Sequence, residues 1–402
     1  MATESLERAF ARIREGQMAV LAADDRAETH ADVVVAAERA TPDLVNFMVR
    51  YARGMVSVAL VEARMRALGI PLVPSSRGSQ MEPQGALIEA REGVTTGISA
   101  ADRARTIQTV ASELSGPHDI VMPGHVLPLV ALEGGLMSRA GRAEGAVDLM
   151  RLAGMRPCAA LCAILRDDGE PARLGEAAEF AETHQMPLVF AKDLISYRVA
   201  NETLVQRVEE TPFPTAAGEL RAIVFRGVVD GREHLALVVG EVGGGRSTLV
   251  RLHSECLTGD VFASNRCDCG EQLSQSLEKI VAAGAGVIIY LHQEGRGIGL
   301  GNKIRAYALQ DGGLDTVEAN LELGFKEDLR DYGIGAQILR DLGVREVKLL
   351  TNNPHKIESL ARYGVSATRV ALEVTPHSGN IGYLRTKQEK LGHLFSRLKL
   401  TG

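Results

Sequence analysis

The sequence predicts a mixed α/β (α+β) protein of two domains, and three observations lead there. The chain has 402 residues, enough for two or three domains at ~150 residues each. Short apolar runs of strand character alternate with helical stretches on both sides of its middle. Between the two halves a polar stretch bearing two prolines interrupts the pattern. The domains then run over 1–200 and 204–402, with a linker at 201–214.

Each element has a local reason. Met186-Pro-Leu-Val-Phe-Ala reads as a buried strand, and residues 193–207 as a helix. Glu209-Glu-Thr-Pro-Phe-Pro-Thr then breaks the pattern. Leu220-Arg-Ala-Ile-Val-Phe and His234-Leu-Ala-Leu-Val-Val-Gly read as strands on either side of an Asp230-Gly231 turn. Gly286-Val-Ile-Ile-Tyr-Leu is a further strand, followed by a glycine-rich turn and a helix over 302–310. Val347-Lys-Leu-Leu-Thr is the next strand, and residues 354–363 form a helix. No short-period repeat is visible, which sets solenoids aside.

Composition narrows the function. With 45 Lys+Arg against 51 Asp+Glu, the net charge of −6 argues against a nucleic-acid partner gripped through a general basic surface. No apolar run approaches the ~18 residues of a membrane span. The start, Met1-Ala-Thr-Glu-Ser-Leu-Glu-Arg, lacks the basic and apolar regions of a secretion signal. Five cysteines do not make a disulfide framework. A cytoplasmic protein with no membrane partner is expected.

Cys256, Cys267 and Cys269 carry the strongest chemical signal. Three thiolates suit a borderline-soft cation such as Zn²⁺ and leave the fourth position for water, which becomes a nucleophile near neutral pH. The alternative is three metal-free core thiols, set against polar neighbours at Glu255, Asp260, Arg266 and Asp268. Cys158 and Cys162, in an apolar stretch, read as core thiols. Gln293-Glu-Gly-Arg-Gly-Ile-Gly-Leu-Gly-Asn-Lys follows a strand directly, and a glycine turn entering a helix is an anion site. Arg296 and Lys303 add positive charge there. It lacks the Gly-x4-Gly-Lys-Ser/Thr pattern of a Walker loop. Asp328 and Arg330 would pass alone as a solvated charge run, and Thr351-Asn-Asn-Pro-His-Lys as a second ligand-facing turn. Residue chemistry alone reaches a metal-dependent hydrolase of a phosphorylated substrate.

Residues from about 204 to 400 closely resemble GTP cyclohydrolase II. Arg251-Leu-His-Ser-Glu-Cys-Leu-Thr-Gly-Asp, Arg266-Cys-Asp-Cys-Gly-Glu-Gln-Leu, Gln293-Glu-Gly-Arg-Gly-Ile-Gly-Leu, Leu309-Gln-Asp-Gly-Gly-Leu-Asp-Thr-Val-Glu-Ala-Asn and Leu350-Thr-Asn-Asn-Pro carry the likeness. The resemblance implies hydrolysis of GTP to 2,5-diamino-6-(5-phospho-ribosylamino)pyrimidin-4(3H)-one, formate and diphosphate, the first step of riboflavin synthesis or a related pathway. It implies one Zn²⁺ per chain on Cys256, Cys267 and Cys269, whose water attacks C8 of guanine, and Mg²⁺ shared with the diphosphate. It places GTP against Arg251, Leu252, His253, Ser254, Glu255, Gln272, Glu294, Gly295, Arg296, Thr316, Thr351 and Lys356. Asp328 matches the proton acceptor, Arg330 a nucleophile at the α-phosphate, and Tyr307 a tyrosine needed beyond the first ring opening. Because a guanidinium hardly deprotonates, stabilising charge on the triphosphate describes Arg330 better. One departure is His292, where many relatives have Arg.

Residues from about 6 to 197 resemble 3,4-dihydroxy-2-butanone 4-phosphate synthase, through Gly93-Val-Thr-Thr-Gly-Ile-Ser-Ala-Ala-Asp-Arg, Pro123-Gly-His-Val-Leu-Pro-Leu and Ala146-Val-Asp-Leu-Met-Arg-Leu-Ala-Gly. That family makes a four-carbon phosphate and formate from ribulose 5-phosphate with Mg²⁺ and acidic groups. Here Ala27 stands where a metal-binding Glu follows Arg26, unless a register slip brings in Glu28. Arg142 replaces the second metal ligand, Ala163 a catalytic Glu and Ser57 a Cys, while His125 and Arg139 remain. The expectation is therefore a working cyclohydrolase behind a degenerate first domain that serves as scaffold or regulator, in a homodimer. The alternatives are a bifunctional enzyme that also makes the four-carbon phosphate, and a non-catalytic nucleotide-binding regulator.

Overall fold

The computed structural model describes residues 2–24, 26–74, 82–325, 332–376 and 380–395. The chain divides into two compact units, 1–198 and 199–402. Both are mixed α/β, as the alternation of patterns implies.

In the first unit the strands are β1 (Ala19–Ala22), β2 (Ala31–Ala36), β3 (Arg53–Val61), β4 (Ile88–Ala90), β5 (Ile120–Ala131), β6 (Cys158–Ile164) and β7 (Leu188–Phe190). They form one sheet in the order β4-β5-β3-β6-β2-β1-β7. Its central strands read as continuous apolar runs because helices cover both faces. The opening helix Ala2–Arg14 shows why: Leu6, Ala9, Phe10 and Ile13 recur at helical spacing and all are buried against Leu21, Val34 and Leu149. Cys158 and Cys162 are core thiols, and burial pushes each up to about 12.

In the second unit the strands are β8 (Val205–Thr215), β9 (Gly218–Gly227), β10 (Glu233–Val239), β11 (Thr248–Ser254), β12 (Gly286–Leu291), β13 (Glu346–Leu350) and β14 (Ser366–Val370). The sheet order is β14-β13-β11-β12-β10-β9-β8. β8, β9, β10 and β12 pair antiparallel, whereas β12, β11, β13 and β14 are parallel. The parallel half therefore sends the carboxyl ends of β11, β12 and β13 to one edge, where open α/β sheets bind ligands.

Two expectations fail between the units. The helix expected over 193–207 is Ala191–Asn201, and the linker expected at 201–214 is mostly the edge strand β8. Pro212 and Pro214 lie within that strand and pair with Arg221 and Glu219 of β9. An edge strand has one neighbour, so a proline there need not remove a ladder bond.

Candidate active site

Three strand ends deliver the site. β11 carries Arg251 to Ser254 and runs straight into Glu255 and Cys256. A short helix, Leu257–Asp260, turns the chain there, and Cys269 opens the helix Cys269–Ala282. The Sγ atoms of Cys256, Cys267 and Cys269 all lie within 4.8 Å of one another, the sole such cluster of metal-ligating groups among the described residues. The Cys256–Cys267 separation is 3.6 Å, close to the ~3.8 Å that tetrahedral Zn–S bonds of 2.3 Å impose. A methyl group at Gly259 would lie 2.8 Å from Cys267 Sγ and 3.2 Å from Cys256 Sγ, so only glycine leaves room for the cluster. The residues fit a zinc ion.

Charge is arranged for a thiolate. Thiol donors from Cys267 and Cys269, with the Lys303 ammonium, hold Cys256 far below the ordinary thiol range. Lys303 Nζ lies 3.1 Å from Cys256 Sγ and 2.8 Å from Glu294 Oε1. Burial disfavours its ammonium form, but Glu294 and Cys256 more than offset this and Lys303 sits above the usual lysine range. Glu294 Oε2 accepts from Leu257 N at 2.7 Å, so one carboxylate ties the glycine turn after β12 to the cysteine loop. Gly295 has φ +63°, the left-handed region that this turn requires.

His253 and Tyr290 are register partners on β11 and β12, and their rings stack 5.5 Å apart. Both reach Asp260: His253 Nε2 at 3.0 Å and Tyr290 OH at 2.8 Å. Asp260 Oδ2 also accepts from Cys256 N at 3.0 Å, which fixes the first ligand's backbone. Burial pushes His253 down, so its neutral ring donates Nε2–H to Asp260.

Two cavities open at this edge. One, open to solvent, spans about 640 Å³ and is walled by the three cysteines, Lys303, Tyr307 and Thr316. Tyr307 OH lies 3.2 Å from Thr258 Oγ1, and burial keeps its hydroxyl above the ordinary range and hence protonated. The other, also open to solvent, spans about 550 Å³ and is cationic, with Arg251, Lys356, Lys387, Gln272 and Thr351 in its wall. Ser254, Cys269 and Tyr383 border both.

Of the residues expected to meet the substrate, Arg251, His253, Ser254, Glu255, Gln272, Glu294, Gly295, Thr316, Thr351 and Lys356 line these cavities. Leu252 does not: its side chain is fully buried, and its carbonyl accepts from Lys356 Nζ at 2.7 Å. Asp328, Arg330 and the Arg296 side chain lie outside the described residues. Sequence reasoning missed Tyr290, Tyr383 and Lys387, and noted Asp260 and Asp268 only as polar neighbours. Strand alternation marks Tyr290, but nothing local marks the other two.

In the first unit Asp32 and Ala163 are register partners on β2 and β6. Arg142 Nη2 lies 2.8 Å from Asp32 Oδ1, and its Nε is 3.9 Å from Glu82 Oε2. Burial pushes Asp32 up to about 6 despite Arg142. His125 Nδ1 meets Glu89 at 2.9 Å, Arg139 meets Glu144 at 2.5 Å, and Glu28 is exposed.

Comparison with known proteins gives a consistent pattern. Residues 206–371 match the GTP cyclohydrolase II family and residues 7–197 the 3,4-dihydroxy-2-butanone 4-phosphate synthase family. The chain is 48% identical to riboflavin biosynthesis protein RibBA of Salinispora arenicola, over 97% of this chain and 94% of the relative. It is 47% identical to RibBA of Aquifex aeolicus, over 97% and 98% respectively. Bifunctional riboflavin biosynthesis protein RIBA 1 of Arabidopsis thaliana is 47% identical over 99% of this chain and 74% of the relative. Among solved structures, RibBX, a two-domain 3,4-dihydroxy-2-butanone 4-phosphate synthase from A. baumannii, superposes with a TM-score of 0.71 at 34% identity, covering 92% of this chain and 99% of that one.

Proposed function

Since the chain belongs to the family of riboflavin biosynthesis proteins that join a 3,4-dihydroxy-2-butanone 4-phosphate synthase domain to a GTP cyclohydrolase II domain, we propose that it is a bifunctional enzyme of that type. Its second unit hydrolyses GTP to 2,5-diamino-6-(5-phospho-ribosylamino)pyrimidin-4(3H)-one, formate and diphosphate. Its first unit converts ribulose 5-phosphate to the four-carbon phosphate and formate. Near 48% identity to such relatives along nearly the whole chain supports two activities better than the expected silent first half.

The observation that carries the cyclohydrolase reading is the juxtaposition of a three-thiolate cluster with a cationic cavity, both bordered by Ser254 and Cys269. Cys256, Cys267 and Cys269 would hold Zn²⁺, which when bound supplies the Lewis acidity that makes water nucleophilic near neutral pH. Arg251 and Lys356, each buried, neutralise the polyphosphate and fix the base in the neighbouring cavity. Tyr307, protonated and held by Thr258, donates to developing charge on the opened ring. Glu294 and Lys303 keep Cys256 in place while the substrate reacts.

One observation favours a second reading for the first unit. Arg142, at the family's second metal-ligand position, is paired with buried Asp32, and Ala163 beside it offers no carboxylate. A guanidinium neither coordinates Mg²⁺ nor tolerates it nearby. Purified full-length protein should be given GTP and ribulose 5-phosphate separately, with products identified by mass spectrometry. Formate and diphosphate from GTP are expected, and their absence from zinc-replete protein overturns the cyclohydrolase reading. Mg²⁺-dependent formate from ribulose 5-phosphate supports two activities; none, at any Mg²⁺ concentration, establishes the silent first unit instead.

A further inference from the structure

The cationic cavity is closed by a part of the chain beyond the 206–371 family match. The helix Ile381–Glu389 brings Tyr383 and Lys387 to its wall, and His393 follows. This segment is fastened to the turn after β13 and to β14: Leu394 N donates to Asn352 O at 2.8 Å, and Arg369 Nη2 of β14 donates to Leu394 O at 2.8 Å. Lys387 is 7% exposed, and its ammonium lies 2.6 Å from Asp268 Oδ1 and 4.4 Å from the Tyr383 ring centroid.

Asp268 passes the contact on. Its Oδ2 accepts from Gln272 Nε2 at 2.6 Å, and Gln272 Oε1 accepts from Arg251 Nη2 at 2.5 Å. Arg251 Nη1 is anchored on Leu350 O at 2.9 Å. All four side chains are nearly buried, so each bond fixes the next. An amide has one donor end and one acceptor end, so the carboxylate sets which end of Gln272 faces Arg251. Among the described residues the cavity's wall includes Arg251, Lys356 and Lys387 but no carboxylate, and it contains the N-terminal turn of the helix Pro354–Arg362. Such a wall suits an extended polyanion.

We propose that residues 381–395 are a constituent wall of the polyphosphate cavity, and that Lys387 is a positioning residue that sets Asp268, Gln272 and Arg251 for a substrate's phosphate chain. This rests on the reading of the second unit as acting on GTP, and it assigns substrate specificity to a segment with no ligand role so far.

The test uses the full-length zinc-loaded protein and inorganic tripolyphosphate with saturating Mg²⁺, measured by calorimetry alongside GTP kinetics. Lys387→Met should weaken tripolyphosphate binding and raise KM for GTP by about tenfold or more. Turnover number should stay within about threefold and zinc content should be unchanged. Lys387→Arg should restore both affinities to within about threefold of the parent. Unchanged tripolyphosphate affinity, loss accompanied by loss of zinc, or no rescue by arginine each overturns the proposal. Should Lys387→Met not fold, amide exchange on the unmodified protein decides: tripolyphosphate should slow exchange across 381–395, and unchanged exchange there overturns the proposal. Failure of GTP turnover together with intact, Lys387-dependent tripolyphosphate binding would overturn the cyclohydrolase reading, and with it the role toward GTP, while retaining the wall's role in polyanion binding.

Discussion

Replacing Lys303 by methionine tests the charge balance of the cysteine cluster. Methionine keeps the length and apolar stem of lysine and deletes only the ammonium, 3.1 Å from Cys256 Sγ and 2.8 Å from Glu294 Oε1. At an effective dielectric of ~20, a unit charge pair at that distance is worth about 5 kcal/mol before desolvation is counted. Most of this is cancelled because Lys303 is 9% exposed and its hydration is already lost. Removing a group that orients and compensates a metal ligand typically weakens metal binding ~10–100-fold, or about 1.4–2.7 kcal/mol. Among the described residues Glu294 would also be left near the thiolates with Leu257 N and Gly295 N as its remaining partners. Zinc affinity should be read by competition with a chromophoric chelator at fixed pH, with Glu294→Gln as the companion variant. Losing the carboxylate as well should recover part of the affinity, because its uncompensated charge goes with it. The reasoning fails if Lys303→Met holds zinc as tightly as the parent.

Three further outcomes are expected. Gly259→Ala should lose zinc while keeping its far-ultraviolet circular dichroism, because the added methyl must displace the sulfurs 2.8 and 3.2 Å away; Cys267→Ser should match it, and full activity in either metal-free protein would contradict a zinc site. Tyr307→Phe should still bind GTP but accumulate a ring-opened formamidopyrimidine detectable by mass spectrometry, whereas parental product at the parental rate would remove the tyrosine's role; Arg330→Ala should instead block diphosphate release. Asp32 lies at about 6 in the folded state against 3.8 unfolded, so its contribution is present below pH 4 and is lost as pH rises through 6. Asp32→Asn should flatten the loss of stability between pH 5 and pH 7 by an amount on the order of 1 kcal/mol, measured by urea unfolding, and identical pH profiles for variant and parent would contradict the assignment.

The parts legible in the sequence are those encoded within a few residues. Cys256, Cys267 and Cys269 could be read as ligands because thiols at that spacing need little else, and the structure gathers them. The strand before Gln293 and the turn after it were legible from apolar run and glycines, and both form. The edge strand β8 was misread because proline propensity is local while its tolerance depends on having one neighbour. The placement of Leu252 was not legible because a motif does not say which residues contribute backbone: its side chain packs inward while its carbonyl holds Lys356. Lys387 stayed invisible because its partner, Asp268, lies 119 positions earlier and only the closed tertiary structure unites them. In the first unit the substitutions at 142 and 163 were legible, but not that Arg142 pairs with a buried carboxylate on a neighbouring strand.

Pro212 and Pro214 also bear on how this molecule behaves at high concentration. An eleven-residue strand at the rim of a sheet offers a row of backbone donors to any extended segment that drifts past, from a neighbouring copy or a nascent chain. Two prolines spaced a strand period apart interrupt that row on one side and stiffen the rim, so recruitment of a foreign strand there has nothing continuous to zip against. An engineer smoothing this stretch into ideal β sequence would gain propensity and forfeit the safeguard, trading a well-behaved rim for a nucleus of sheet-to-sheet stacking.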